Sequence, residues 1–212
     1  MQPSFDRSAL PYWEARSSSW TVVPPLSPSP ADVRFYEARA ASNLPDDGRG
    51  LRALLLGVTR PIAAMRWPVA TRLTAIDWAQ GMIRNVWPRE GAPSGSATLR
   101  GDWREMPLKS SSMDFVVGDG CYSVFASLEG PAAMNREVHR VLRPEGEFCL
   151  RCFRRPDTRS LRVPQTRTPT NDQQNCRNPS GQFFHLENSP VKFETQSLTS
   201  RYAVVNRGVS KS

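Results

Sequence analysis

The stretch RALLLGVTRPIAAMRWPVATRLTAID, residues 52–77, decides the fold. It reads as strand, tight turn, short helix and second strand, ending on an acid. Residues 52–58 are a short apolar run, as expected of a strand buried on both faces of a parallel sheet. Gly57 stands where that strand ends. Residues 72–77 are the second strand, and Asp77 falls 20 residues after Gly57. In a doubly wound sheet the first turn approaches a nucleotide, and an acid closing the second strand accepts hydrogen bonds from ribose hydroxyls. A carboxylate suits a diol because it is acceptor-only. A nucleotide fingerprint has several glycines in its first turn, whereas Gly57-Val-Thr-Arg-Pro61 has one. On this stretch alone a plainer reading stands beside the nucleotide one: an ordinary βαβ unit whose acid caps a strand.

Downstream the alternation continues. Residues 78–87 read as a short helix and 88–96 as a loop rich in Gly, Pro and Ser. Residues 97–102 are a third strand closing on Gly101-Asp102, with Trp103 beside it. After a loop over 104–112, residues 113–119 form a fourth strand ending at Asp119, and Gly120 follows. Residues 121–128 and 132–142 read as helical, the second with Met134, Val138, Val141 and Leu142 roughly on one face. Residues 146–153 are the fifth strand. Such alternation predicts an α/β fold: a Rossmann-like, doubly wound, mainly parallel sheet with helices on both faces. Three strands end in acids, Asp77, Asp102 and Asp119, and ligands of open α/β sheets bind beyond the carboxyl ends of the strands. Aspartate is also a common turn and cap residue, so each acid has a purely structural reading too.

Upstream, residues 1–29 contain Tyr12, Trp13, Trp20 and the proline-rich VPPLSPSP at 23–30, and read as an extended arm. Its aromatics are expected to pack on the domain, with a place beside a ligand as the alternative. Ser29-Pro30-Ala31-Asp32 is a helix start, with a Ser cap, proline in the first turn and an acid at the positive helix end. That helix is expected to reach about Ser42, where NLPDDG at 43–48 breaks it.

Composition bounds the rest. The chain has 212 residues, enough for one domain plus extensions, and its 39% hydrophobic content with 19 prolines implies that part of it is unpacked. Net charge is +8 but uneven: residues 1–153 hold 18 Lys+Arg against 16 Asp+Glu, and residues 154–212 hold 10 against 4. The basic excess thus belongs to the C-terminal segment, which is polar, Pro- and Arg-rich, without clear periodicity, and is expected to be largely irregular. A basic tail attracts nucleic acid weakly and salt-sensitively, but aromatics for stacking bases are sparse in it. Within it, residues 183–186, 191–195 and 201–205 are candidate short strands. Cys149 and Cys152 have CxxC spacing, but on a strand residues three apart point to opposite faces, which argues against a metal or redox pair. With Cys121 and Cys176 they read as reduced thiols of a cytoplasmic protein. The start lacks a charged, then apolar, leader, and no apolar run approaches membrane-spanning length.

Taken in order, LLLGVT, then AID77, then GD102W, then SMD114FVVGD119G, then EVHRVLRPEGE from Glu137 resemble the class I S-adenosylmethionine-dependent methyltransferases. The last piece is the most specific, being similar to the RVLRPGG segment that leads into the fifth strand of that family. The resemblance covers roughly residues 25–155 and implies S-adenosylmethionine as cofactor. By position, it implies that Gly57, Val58 and Thr59 lie against the amino-acid part of the cofactor and that Asp77 holds the ribose. Trp78 and Met82 would flank the adenine. Asp102 would contact the adenine amino group, with Trp103 beside it. Asp119 and Gly120 would face the methionine end and the acceptor. No catalytic base is identified and no metal is implied; His139, mid-helix, reads as packed or surface. The family sheet continues past its fifth strand with a helix and two more strands, and here that continuation is not evident, so the usual last strands are open to doubt. The expected organisation is an arm over 1–29, a methyltransferase domain over 30–153 and a basic segment over 154–212. Methyl transfer to a small-molecule acceptor is the expected function, and a non-catalytic or truncated cofactor-binding domain is the alternative.

Overall fold

In the computed structural model, residues 10–127, 129–153, 192–195 and 200–206 are described. The strands are β1 (Arg52–Leu56), β2 (Arg72–Asp77), β3 (Ala97–Arg100), β4 (Met113–Asp119), β5 (Leu142–Phe153), β6 (Lys192–Thr195) and β7 (Ser200–Asn206). They form one sheet in the order β3-β2-β1-β4-β5-β7-β6. β1 pairs in parallel with both β2 and β4, with Leu54 opposite Thr74 on one side and Val116 on the other. β3 and β5 extend the parallel array on either flank. The order therefore reverses between β1 and β4, and such a switch point opens a crevice at the carboxyl ends of the strands.

The closing strands are present: β7 runs antiparallel to β5, and β6 antiparallel to β7. Two of the three short strands expected in the C-terminal segment are thus realised within one residue of their expected bounds, and the doubt over the last strands is resolved in favour of a complete sheet. The third, at 183–186, lies outside the described residues, as does Cys176.

The central strands read as continuous apolar runs because both of their faces are covered. One face carries α2 (Pro30–Ser42), α3 (Arg60–Ala63) and α4 (Gln80–Val86), with Leu55, Ile62, Leu73, Phe115 and Val117 buried beneath them. The other carries a 3-10 turn (Cys121–Val124) and α5 (Glu129–Val141) over Leu54, Leu56, Ile76, Val116 and Leu150. Cys149 belongs to the first cluster and Cys152 packs against the second, so the CxxC pair does straddle the sheet. α2 begins where its sequence signals it. Asp32 N donates to Ser29 Oγ at 3.3 Å and Ser29 N donates back to Asp32 Oδ2 at 2.7 Å, a reciprocal cap. β5 starts four residues earlier than expected, because Leu142 already pairs with Met113 before an irregularity that brings Glu147 opposite Phe115.

One expectation is corrected. Residues 1–29 are not simply an extended arm, since Leu10–Ser17 form a helix, α1. Leu10 and Trp13 pack against the first core cluster, and Glu14 accepts from Gln80 N at 2.8 Å and Gly81 N at 2.7 Å. α4 has no side-chain cap of its own at Ala79, so Glu14 satisfies the amides that the start of α4 leaves open. A helix of two turns is marginal alone; this one is held by partners distant in sequence.

Candidate functional site

Gly57 leaves β1 with a φ of +89°, a left-handed conformation that glycine adopts without strain. Its N–H donates to Ile76 O at 2.8 Å, tying the turn to the end of β2. One residue beyond Ile76, Asp77 closes β2. A Cβ added to Gly57 would lie 3.9 Å from Asp77 Oδ2, so the sequence-predicted glycine and acid do meet at the carboxyl edge. Asp77 accepts from Ala79 N at 2.9 Å. Burial, opposed by that bond and assisted by the nearby charge of Glu14, pushes its carboxyl up to about 7.

The other predicted residues fall into three groups. Val58 and Met82 are core residues, 2% and 6% exposed, and Trp78 packs against the same cluster. Thr59 is the N-cap of α3 and accepts through its carbonyl from Ile62 and Ala63. Asp102 lies at the carboxyl edge after β3, but Arg104 engages both its carboxylate oxygens, at 3.1 and 2.8 Å. Asp119 ends β4 and is likewise engaged: Arg151, its partner across β5, donates to it through two nitrogens, one of them at 2.9 Å. Arg151 is 1% exposed, donates also to Pro25 O at 2.8 Å and stacks 5.1 Å from the Phe153 ring centroid. Burial opposes its charge, but the Asp119 carboxylate more than offsets this and raises its pKa. Gly120 follows with a φ of +63°, its N–H on Arg151 O at 2.9 Å; a Cβ there would meet Phe153 at 2.7 Å.

Sequence reasoning missed Arg151, Glu14 and Tyr36, whose hydroxyl donates to Gly118 O at 3.0 Å. No local signal marks them, since their partners stand 32, 66 and 82 residues away. His139, expected to be packed or on the surface, is exposed on α5. Among the described residues no group of three or more His, Cys, Asp or Glu is placed to hold a metal. Burial pushes the Cys152 thiol up to about 12 and Cys121 well above its ordinary value, so neither is poised as a nucleophile.

A five-strand parallel array in the order 3-2-1-4-5 carries a glycine turn and an acid side by side at the carboxyl ends of β1 and β2. The family described as "Methyltransferase domain" matches residues 56–150. Residues 56–150 are thus similar to a methyltransferase domain. The methyltransferase fold is shared with solved structures of low sequence identity. An S-adenosylmethionine-dependent methyltransferase from Aquifex aeolicus matches with a TM-score of 0.51 and 14% identity over 85% of this chain and 99% of that one. A protein from Pyrococcus horikoshii matches with a TM-score of 0.52 and 18% identity over 92% and 98%. The [4+2]-cyclase SpnF matches with a TM-score of 0.52 and 17% identity over 71% of this chain. The chain spans about three fifths of the length of two of the structures that match it, 59% of one and 61% of SpnF. No protein of curated function matches it. Among the described residues no helix is long and apolar enough to cross a membrane.

Proposed function

We propose that the chain binds S-adenosylmethionine at the crevice above Gly57 and Asp77 and transfers its methyl group to a small-molecule acceptor. The observation that carries this is the meeting of Gly57 and Asp77 at the switch point of a methyltransferase domain. These two residues fit the cofactor, Gly57 at its amino-acid part and Asp77 at its ribose. Gly57 presents backbone without a Cβ, and Asp77 offers a buried carboxylate to a ribose diol. Asp102 and Asp119 fit it less directly, because each carboxylate already has an arginine. Asp119 then acts as an anchor for Arg151 at the methionine end, not as a free acceptor of hydrogen bonds.

When bound, S-adenosylmethionine supplies an electrophilic methyl group on a sulfonium. The chain's own part is to hold the acceptor in line with that methyl and to exclude water, which is where catalysis of such a displacement chiefly lies. The carboxyl ends of β4 and β5 suit the acceptor, with Phe153 supplying aromatic surface beside Gly120. Calorimetric titration with S-adenosylmethionine tests the reading. Micromolar binding that Asp77→Ala weakens by about 1–3 kcal/mol, the scale of leaving polar partners unpaired, supports it. Absence of binding by a chain that circular dichroism shows to be folded overturns it.

A second reading, a cofactor-binding domain without turnover, is favoured by one observation: two of the three predicted acids are neutralised by arginines of the same chain. Cofactor binding without methyl transfer to any of a broad panel of nucleophiles would support it.

A further inference from the structure

The indole of Trp103 stands at the carboxyl edge beside Gly57. Trp103 donates its indole N–H to Ile76 O at 2.7 Å, the same carbonyl that receives Gly57 N. Its ring edge reaches over the turn, with Cζ2 3.6 Å from where a Gly57 Cβ would stand. The far side of the indole meets Phe125 edge to face, with centroids 6.2 Å apart. A flat aromatic ring thus lies across the ends of β1 and β2, beside Asp77. Two clefts among the described residues, of about 710 and 420 Å³, are lined by other residues. Asp77 is only 7% exposed, although in an open crevice its carboxylate would be wet.

We propose that Trp103 is a gate: its indole occupies the place of the cofactor's nucleoside in the resting chain and must swing away before S-adenosylmethionine binds. This rests on the cofactor reading above. Displacement breaks the indole bond to Ile76 O and the contact with Phe125, and exposes Gly57 and Asp77 together. Asp102 and Arg104, which flank Trp103, are pinned to each other, so the swing is assigned to the Trp103 side chain and not to the whole segment.

The test compares the wild-type chain with Trp103→Ala and Trp103→Phe by titration and stopped-flow mixing with S-adenosylmethionine. If about nine chains in ten are closed, the apparent Kd is raised about tenfold, so Trp103→Ala is expected to bind about tenfold more tightly. Trp103→Phe, which keeps a ring but loses the donor, is expected to gain less. The wild-type binding rate is expected to level off with concentration, as opening becomes limiting, while the alanine variant stays linear. Tighter binding by Trp103→Ala supports the gate. Equal or weaker binding by a folded Trp103→Ala chain makes the indole a wall of the site and overturns the gate alone. No binding by either folded chain overturns the gate and the cofactor reading together. A second readout needs no substitution in the chain tested: with 5-fluorotryptophan incorporated, the Trp103 resonance is expected to shift on saturation with S-adenosylmethionine. Saturation without a shift overturns the gate even where the variants misfold.

Discussion

Arg151 and Asp119 stand opposite each other on neighbouring parallel strands and grip each other through a two-pronged ion pair that is almost wholly buried. The third guanidinium nitrogen of Arg151 reaches the backbone of the segment before α2, at Pro25 O. Breaking a buried pair by removing one partner leaves an uncompensated charge and costs about 3–5 kcal/mol. Arg151→Met is expected to lose that much stability in urea unfolding. Combining it with Asp119→Asn should recover part of the loss, because the stranded charge is then gone. A loss under about 1 kcal/mol for Arg151→Met would count against the pair as an anchor.

The raised carboxyl of Asp77 ties stability to pH. Its folded value is about 7 against 3.8 for an unperturbed group. Between those values the folded chain binds a proton that the unfolded chain does not. Stability from this group is therefore complete below about pH 4, falls as pH rises through the window and is flat above about 7. Three pH units at about 1.4 kcal/mol each set an upper limit of about 4 kcal/mol. Asp77→Asn is expected to remove most of that slope in urea titrations at a series of pH values.

Cofactor binding should carry the opposite pH dependence. A ribose diol donates to the ionised carboxylate, so affinity is expected to increase up to about pH 7 and level off above it. Below pH 7 binding should release a proton, which calorimetry in buffers of different ionisation heat detects. Proton uptake instead would place the ribose elsewhere.

Gly57→Ala separates backbone strain from crowding. The left-handed φ costs an alanine about 1–2 kcal/mol, while its Cβ would meet Trp103 and Asp77 only at ordinary contact distance. Unfolding midpoints should fall by that modest amount. Binding of S-adenosylmethionine should fall by more than tenfold, because the methyl group stands where the cofactor approaches the turn.

Glu14→Ala removes the acceptor for two amides at the start of α4. A lost cap costs about 1 kcal/mol. Hydrogen exchange at Gln80 and Gly81 should quicken selectively, and the Asp77 carboxyl should move down, since Glu14 is one of the charges that raise it.

Much of the fold is legible because its signals are local. The LLL run, the Gly57 turn, the Ser29–Asp32 cap and the alternation of apolar runs with turn residues each report on a few neighbouring residues, and each has its counterpart in the structure. The meeting of Gly57 and Asp77 is legible for the same reason, both being fixed at strand ends. What was hidden depends on residues far apart. Nothing around Asp119 announces that Arg151 will neutralise it. The two turns of α1 carry too short a pattern to separate a helix from an arm. β6 and β7 sit in polar, proline-rich sequence, and the backbone pairing offered by β5 gives them a strand to join. Asp102 illustrates a subtler limit: β3 ends two residues before it, at Arg100, and an arginine two residues on takes up its charge.

The anchoring of the N-terminal region also bears on the order in which the chain acquires structure. Glu14 and Pro25 find their hydrogen-bond partners 66 and 126 residues later. During synthesis these first elements leave the ribosome long before α4 and β5 exist. Glu14 therefore waits for α4 and Pro25 for β5, and the docking of this segment belongs to the late, slow part of folding that distant contacts impose.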